Sequence, residues 1–160
     1  MDDTSHDHGF TLIETLVTIS LMSILMAIAI SGWSSWAKAS AHSGTAREIQ
    51  SAMRQAQQRA VTEGRSTCVW FNDADETYTV YRGRCSASDK VIVIGPVATG
   101  DAAVGIAEPS FTSAAGVQVA GVSFHARGTG SPGAVKVVRE GSTKVYTLRV
   151  QGLTGRVSLS

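Results

Sequence analysis

At 160 residues, with 14 Lys and Arg against 13 Asp and Glu, the chain has room for one domain and an appendage, and its net charge is +1. That balance hides an asymmetry: residues 1–9 hold Asp2, Asp3 and Asp7 and no basic residue, whereas every Lys and Arg lies beyond Ile30. An acidic start followed by a long apolar run argues against a cleaved secretory signal, which begins basic and has a core of about 7–15 residues.

The apolar run, Phe10 to Ile30, is 21 residues long and contains eleven Leu, Ile, Val or Phe. As a helix it would extend about 31 Å, near the hydrocarbon thickness of a bilayer. Within it stands one carboxylate, Glu14. A charge costs roughly 2.5–3.5 kcal/mol at the centre of a membrane helix, and the eleven large apolar residues return about −5 kcal/mol, so insertion remains favourable. Cleavage after the run, at the A-x-A-like Ala37-Lys38-Ala39, is the minor alternative.

Past Ile30 the composition turns polar without a helix breaker. No Pro occurs from Trp33 to Glu63, and Ile49, Met53, Ala56 and Ala60 recur at helical spacing. Arg47, Gln50, Arg54, Gln57 and Gln58 fall largely off that stripe, and Gly64 suits a helix C-terminus. The pattern predicts one helix from about Thr11 to Thr62, apolar all round in its first half and amphipathic in its second.

A β-rich region follows. The stretches 66–72 (STCVWFN) and 77–83 (TYTVYRG) are rich in β-branched and aromatic residues, with the turn signal DADE between them. KVIVIG is a further strand ended by Gly95-Pro96, and residues 98–116, rich in small residues, read as a loop with weak strands. VQVAGVSFH, AVKVVRE, KVYTLRV and RVSLS supply the remaining strands. Cys68 and Cys85 are the only cysteines. They read as one disulfide closing a loop of about 18 residues, worth about 3 kcal/mol, or as two free buried thiols.

Motifs for catalysis are missing. GTGSPG matches G-x-G-x-x-G at Gly128, Gly130 and Gly133, but a strand-like AVKVV follows where the dinucleotide fingerprint needs a helix. His6, His8, His42 and His125 lack neighbouring ligands at metal-binding spacing, and Asp73, Asp75 and Glu76 read as solvated carboxylates of a hairpin turn. No enzyme, cofactor or metal is expected. Arg82, Arg84, Lys136, Arg139, Lys144, Arg149 and Arg156 could form a basic face for phosphate backbone, or could be ordinary outward positions of half-buried strands.

The segment G-F-T-L-I-E and the apolar run after it resemble the N-terminus of type IV prepilins and type II secretion pseudopilins. The resemblance implies cleavage between Gly9 and Phe10 by a prepilin peptidase, methylation of the new Phe10 amine, and pairing of Glu14 with the freed amine of a neighbouring subunit. AREIQSAMRQAQQRAVTEGRSTCVWF, VSFHARGTGSPGAVKV and the terminal TGRVSLS are similar to minor pilins of the GspH/FimT group. The leader lacks the basic residue usual in prepilins. The tail reads Gly155-Arg156-Val157-Ser158, where DNA-binding members of the group end in G-R-x-R.

The expected architecture is therefore α+β: a leader over 1–9, a transmembrane helix half over 10–30, an amphipathic half over 31–63, and a small antiparallel β-sheet or β-sandwich domain over 64–160. The resemblance implies a minor pseudopilin at the tip of a type II secretion pseudopilus, held single-pass in the inner membrane with its β domain in the periplasm. Its partners would be prepilin peptidase and other pilins or pseudopilins. The alternatives are a type IV pilus minor pilin binding DNA during uptake, with Arg156, Arg149 and Lys144 as contacts, and a plain membrane-anchored β domain.

Overall fold

The structure, a computed structural model, describes residues 10–160. It divides into two units, residues 1–39 and 40–160. A single helix, α1 (Leu12–Thr62), begins in the first unit and ends in the second. Gly64, at φ +64°, turns the chain out of the helix in the left-handed conformation that glycine adopts without strain.

In the second unit, nine strands follow: β1 (Thr67–Asn72), β2 (Thr77–Arg82), β3 (Val91–Ala98), β4 (Val104–Thr112), β5 (Gln118–Val119), β6 (Gly121–Phe124), β7 (Gly133–Arg139), β8 (Tyr146–Val150) and β9 (Val157–Leu159). They form two sheets, in the orders β3-β2-β1-β6 and β5-β4-β7-β8-β9, and every pairing is antiparallel. The fold is α+β, as the hydrophobic patterning predicts.

Alternation explains the core. Val69 and Phe71 of β1, Tyr78 and Val80 of β2, Val122 and Phe124 of β6, Val135 and Val137 of β7, and Leu148 and Val150 of β8 point to one buried cluster. The rings of Phe71 and Phe111 stack at 5.9 Å across the two sheets. The helix closes the cluster with Ala46, Ile49, Met53, Ala56 and Ala60, each at most 1% exposed. Three alanines let the helix axis approach the strands, while Ile49 and Met53 fill the space between; burying either is worth about 1.5–3 kcal/mol.

Polar contacts fix the docking. The buried His42 donates from Nε2 to the Val137 carbonyl at 3.0 Å, with its ring edge-on to Tyr146. Gln57 donates from one amide nitrogen to the carbonyls of Gly128 (2.8 Å) and Thr154 (3.1 Å). Across the other sheet, the buried Tyr78 hydroxyl donates to Glu48 at 3.1 Å.

Three expectations are corrected. Residues 98–116 contain a full nine-residue strand, β4, with Val104, Ile106 and Phe111 buried. A register shift between Ala107 and Ser110, around Pro109, interrupts its alternation and hides it from period-two patterning. Likewise, β3 does not end at Gly95-Pro96 but continues to Ala98, because it is an edge strand and can carry a proline without losing a ladder bond on both sides. The turn carboxylates also divide: Asp73 and Asp75 are exposed, but Glu76 reaches across to accept the Ile106 backbone N–H of β4.

Cys68 and Cys85 are joined in a disulfide. Cys68 lies on the face of β1 opposite the core, so the bond pins the loop after β2 over the outside of the four-stranded sheet. There Lys90 donates to the Cys85 carbonyl (3.0 Å) and rests over the rings of Trp70 and Tyr81 at 5.0 and 5.1 Å.

Burial, followed by the charge of Glu48, raises the Tyr78 phenol from 10.0 to about 12. The folded state holds this proton more tightly than the unfolded one, so the contribution is whole below pH 10 and fades as pH climbs through 12. In an absorbance titration of the folded protein, one of the three tyrosines should ionise near pH 12, and Tyr78→Phe should remove that step.

Candidate assembly segment

The first unit is built around the apolar part of α1. Leu12–Ile30 is long and apolar enough to cross a membrane, and none of it is buried within the protein. Phe10 is 82% exposed, and the large side chains from Leu12 to Ile30 are all exposed as well. A stripe of this extent in water would be an aggregation site, so it needs lipid, another helix, or both as solvent.

The start of the helix explains itself in T-L-I-E. Thr11 precedes the first helical residue, and its Oγ1 accepts the backbone N–H of Glu14 at 3.2 Å. This is half of a capping box, with Ser/Thr before the helix and Glu at its third position. Glu14 also lies in the first turn, where a negative charge meets the positive end of the helix dipole. Sequence patterning singled out Glu14 but missed Thr11; the S/T-x-x-E spacing ahead of an apolar run was the available signal.

The other hydroxyl residues of the segment turn inward on their own helix. Thr15 donates to Thr11 O, Thr18 to Thr15 O, Ser20 to Leu16 O and Ser23 to Ile19 O, at 2.8–3.2 Å. Such bonds satisfy hydroxyls where no water is present. Glu14 stands apart, since among the described residues its carboxylate has no hydrogen bond or ion pair. Just past the apolar run, Trp33 and Trp36 are exposed with ring centroids 5.4 Å apart. Paired indoles at the end of a hydrophobic helix suit a membrane–water interface; helical i, i+3 spacing after an apolar run would have pointed to them.

Of the sequence-predicted cleavage pair, Phe10 lies directly before the cap, and Gly9 lies outside the described residues, as does the rest of the 1–9 segment. The basic contacts separate into two groups. Arg149 of β8 and Arg156, just before β9, are exposed beside inward-facing Leu148, Val150 and Val157, and the register sets Arg149 against Ser158. Both arginines therefore share the outer face of the five-stranded sheet. Lys144 is not with them; it sits in the preceding turn over the Tyr146 ring at 4.7 Å. Lys136 is engaged by Glu108 at 2.5 Å.

The terminal G-R-V has a structural cause. Gly155 is buried at φ +61°, and a Cβ there would lie 2.2 Å from the Gly128 carbonyl oxygen and 2.4 Å from Gln57 Nε2. Only glycine lets the C-terminal turn approach the helix this closely. Gly155→Ala should lower stability by at least the 1–3 kcal/mol of a strained left-handed residue, read by urea unfolding followed through Trp70 fluorescence.

The model of the family described as type II transport protein GspH matches residues 45–154, and that of the prokaryotic N-terminal methylation motif matches residues 4–30. No curated protein matches the chain. Among solved structures, the chain is similar to the minor pseudopilin EpsH from the type 2 secretion system of Vibrio cholerae, at 9% identity and a TM-score of 0.56 over 74% of this chain and 94% of that one. It is similar to the type IV minor pilin FimU of Pseudomonas aeruginosa, at 17% identity and a TM-score of 0.55 over 74% and 87% of the two chains. It is also similar to E. coli GspH, at 20% identity and a TM-score of 0.51 over 72% and 84%. At these identities the likeness is one of fold.

Proposed function

The chain belongs to the family of the type II transport protein GspH, and from this membership and its N-terminal methylation motif we propose that it is a minor pseudopilin of a type II secretion machine. Its work is structural: it assembles with other pilin-like subunits and presents its β domain to partners at the filament tip. The domains divide as leader 1–9, membrane-spanning 10–30, amphipathic 31–63 and β domain 64–160, with the β domain on the periplasmic side of the inner membrane.

The observation that carries this reading is the Glu14 carboxylate, which among the described residues has no partner, in a segment whose hydroxyls are satisfied within their own helix. Prepilin peptidase cuts between Gly9 and Phe10 and the new amine is methylated, which leaves a positive charge four residues before Glu14. In the assembled filament the Glu14 carboxylate meets that amine on a neighbouring protomer. The charge tolerated in lipid is thereby neutralised only when helices stack in the right register, since one buried partner without the other is strongly unfavourable.

Two measurements test this. Intact mass of the membrane-extracted protein should show a chain beginning at a methylated Phe10; a chain that keeps Met1 would overturn the cleavage. Glu14→Ala should insert into membranes as the unmodified chain does, yet cross-link to neighbouring pseudopilins at least tenfold less. Unchanged cross-linking would remove the role given to Glu14.

The second reading is a type IV pilus minor pilin that captures DNA. It is favoured by Arg149 and Arg156 on one exposed sheet face, and weakened by the tail, which carries Ser158 where a second arginine would extend that face. On this reading the full chain in neutral detergent binds duplex DNA with an affinity that falls steeply with salt, and Arg156→Ala reduces the slope of log K against log [salt] by about 1. Absence of binding at low salt leaves secretion as the function.

A further inference from the structure

A cavity of about 420 Å³ opens where the helix hands over to β1 and where β2 ends, lined by Ser66, Arg84, His125, Arg127 and Thr129 among others. Its frame is rigid. The turn after β6 is closed by His125 N–H donating to Thr129 O (2.9 Å) and Gly128 N–H to His125 O (2.8 Å), and Gln57 of the helix holds the Gly128 carbonyl. Opposite, the Arg84 segment is tied down by the Cys85 disulfide and by Cys85 N–H donating to Ser123 Oγ at 3.0 Å.

The charged side chains lining this cavity are of one sign. Among the described residues, no Asp or Glu lines it. Of the cations nearby, Arg82 is engaged by Glu63 at 2.9 Å and Lys90 by the Cys85 carbonyl. Among the described residues, the guanidinium groups of Arg84 and Arg127 form neither an ion pair nor a hydrogen bond. His125 Nδ1 lies 3.2 Å from Ser66 Oγ. Burial, with the charge of Arg84 second, holds the His125 imidazole below its ordinary 6.5, so the ring is neutral at pH 7.

We propose that this cavity is a binding site for a phosphate-class oxyanion. Two guanidinium forks supply two positive charges, the balance a phosphate dianion requires, and each fork can engage two oxygens at once. The Thr129 hydroxyl adds a neutral donor from another direction. A tetrahedral anion accepts from all of these sides, whereas a carboxylate accepts only near its own plane. Free phosphate and the terminal phosphate of a small ester present the same group. The site is independent of the assembly segment, so it stands whether or not Glu14 acts as described.

The test is calorimetric titration of the full chain in a non-ionic detergent with inorganic phosphate, at constant ionic strength and pH 7.5. Saturable binding is expected, weakened at least tenfold, or about 1.4 kcal/mol, by Arg84→Gln and by Arg127→Gln and unchanged by Arg149→Gln. Arg84→Lys, which keeps the charge and loses the fork, should fall between, and separates loss of the site from loss of the fold. Glycerol phosphate binding tighter than inorganic phosphate would identify an ester as the ligand, and weaker binding the free ion. No saturable phosphate binding, binding retained in both glutamine variants, or equal competition by acetate would overturn the proposal.

Discussion

The β domain depends on one packed stripe. Ala46, Ile49, Met53, Ala56 and Ala60 supply the wall that neither sheet can provide, and they are buried completely or nearly so. Two sheets of four and five strands leave an open flank between them, and an amphipathic helix with small residues at its closest points can lie in it. Gln50, Arg54 and Gln57 then bond to carbonyls of Gly128, Thr154 and Val157, so the helix also fixes the path of the last strand. The hydrophobic stripe supplies the energy of docking, and the amide contacts set its alignment.

Much of this could be read from the residues because the helix and most strands obey simple periods. Ile49, Met53, Ala56 and Ala60 repeat at helical spacing, β7 and β8 alternate, and β1 and β2 stand out by their β-branched and aromatic residues. What escaped were the places where a period is broken. In β4, a register shift at Pro109 puts Ile106 and Phe111 out of phase, and in β3 a proline sits inside an edge strand. Glu76 looked like a turn carboxylate because its partner, the Ile106 N–H, is thirty residues away in sequence. The candidate site divides in the same way. Glu14 is conspicuous as a single charge in an apolar run, whereas the grouping of Arg149 with Arg156, and the separation of Lys144 from both, follow from the pairing of β8 with β9 and from a cation–ring contact.

The cationic side chains show how little composition says about charge. A net charge of +1 is compatible with a cavity whose only charged lining residues are two arginines. Lys136, Arg82 and Lys90 have partners that satisfy them, and among the described residues Arg84 and Arg127 do not. The difference comes from strand ends and turns, where residues from 66, 84 and 125–129 converge, and it cannot be seen in a count.

The disulfide between Cys68 and Cys85 has a consequence for how the protein can be made. Its sulfurs join outside the core, so reduction would leave the two-sheet interior whole while freeing the loop that shields Trp70 and carries Arg84. Material produced in a reducing cytosol would thus be soundly folded at its centre yet lack a settled outer cover. Such a preparation would melt earlier than the oxidised protein and differ from it in the exposure of one indole ring and in the shape of the hollow beside it.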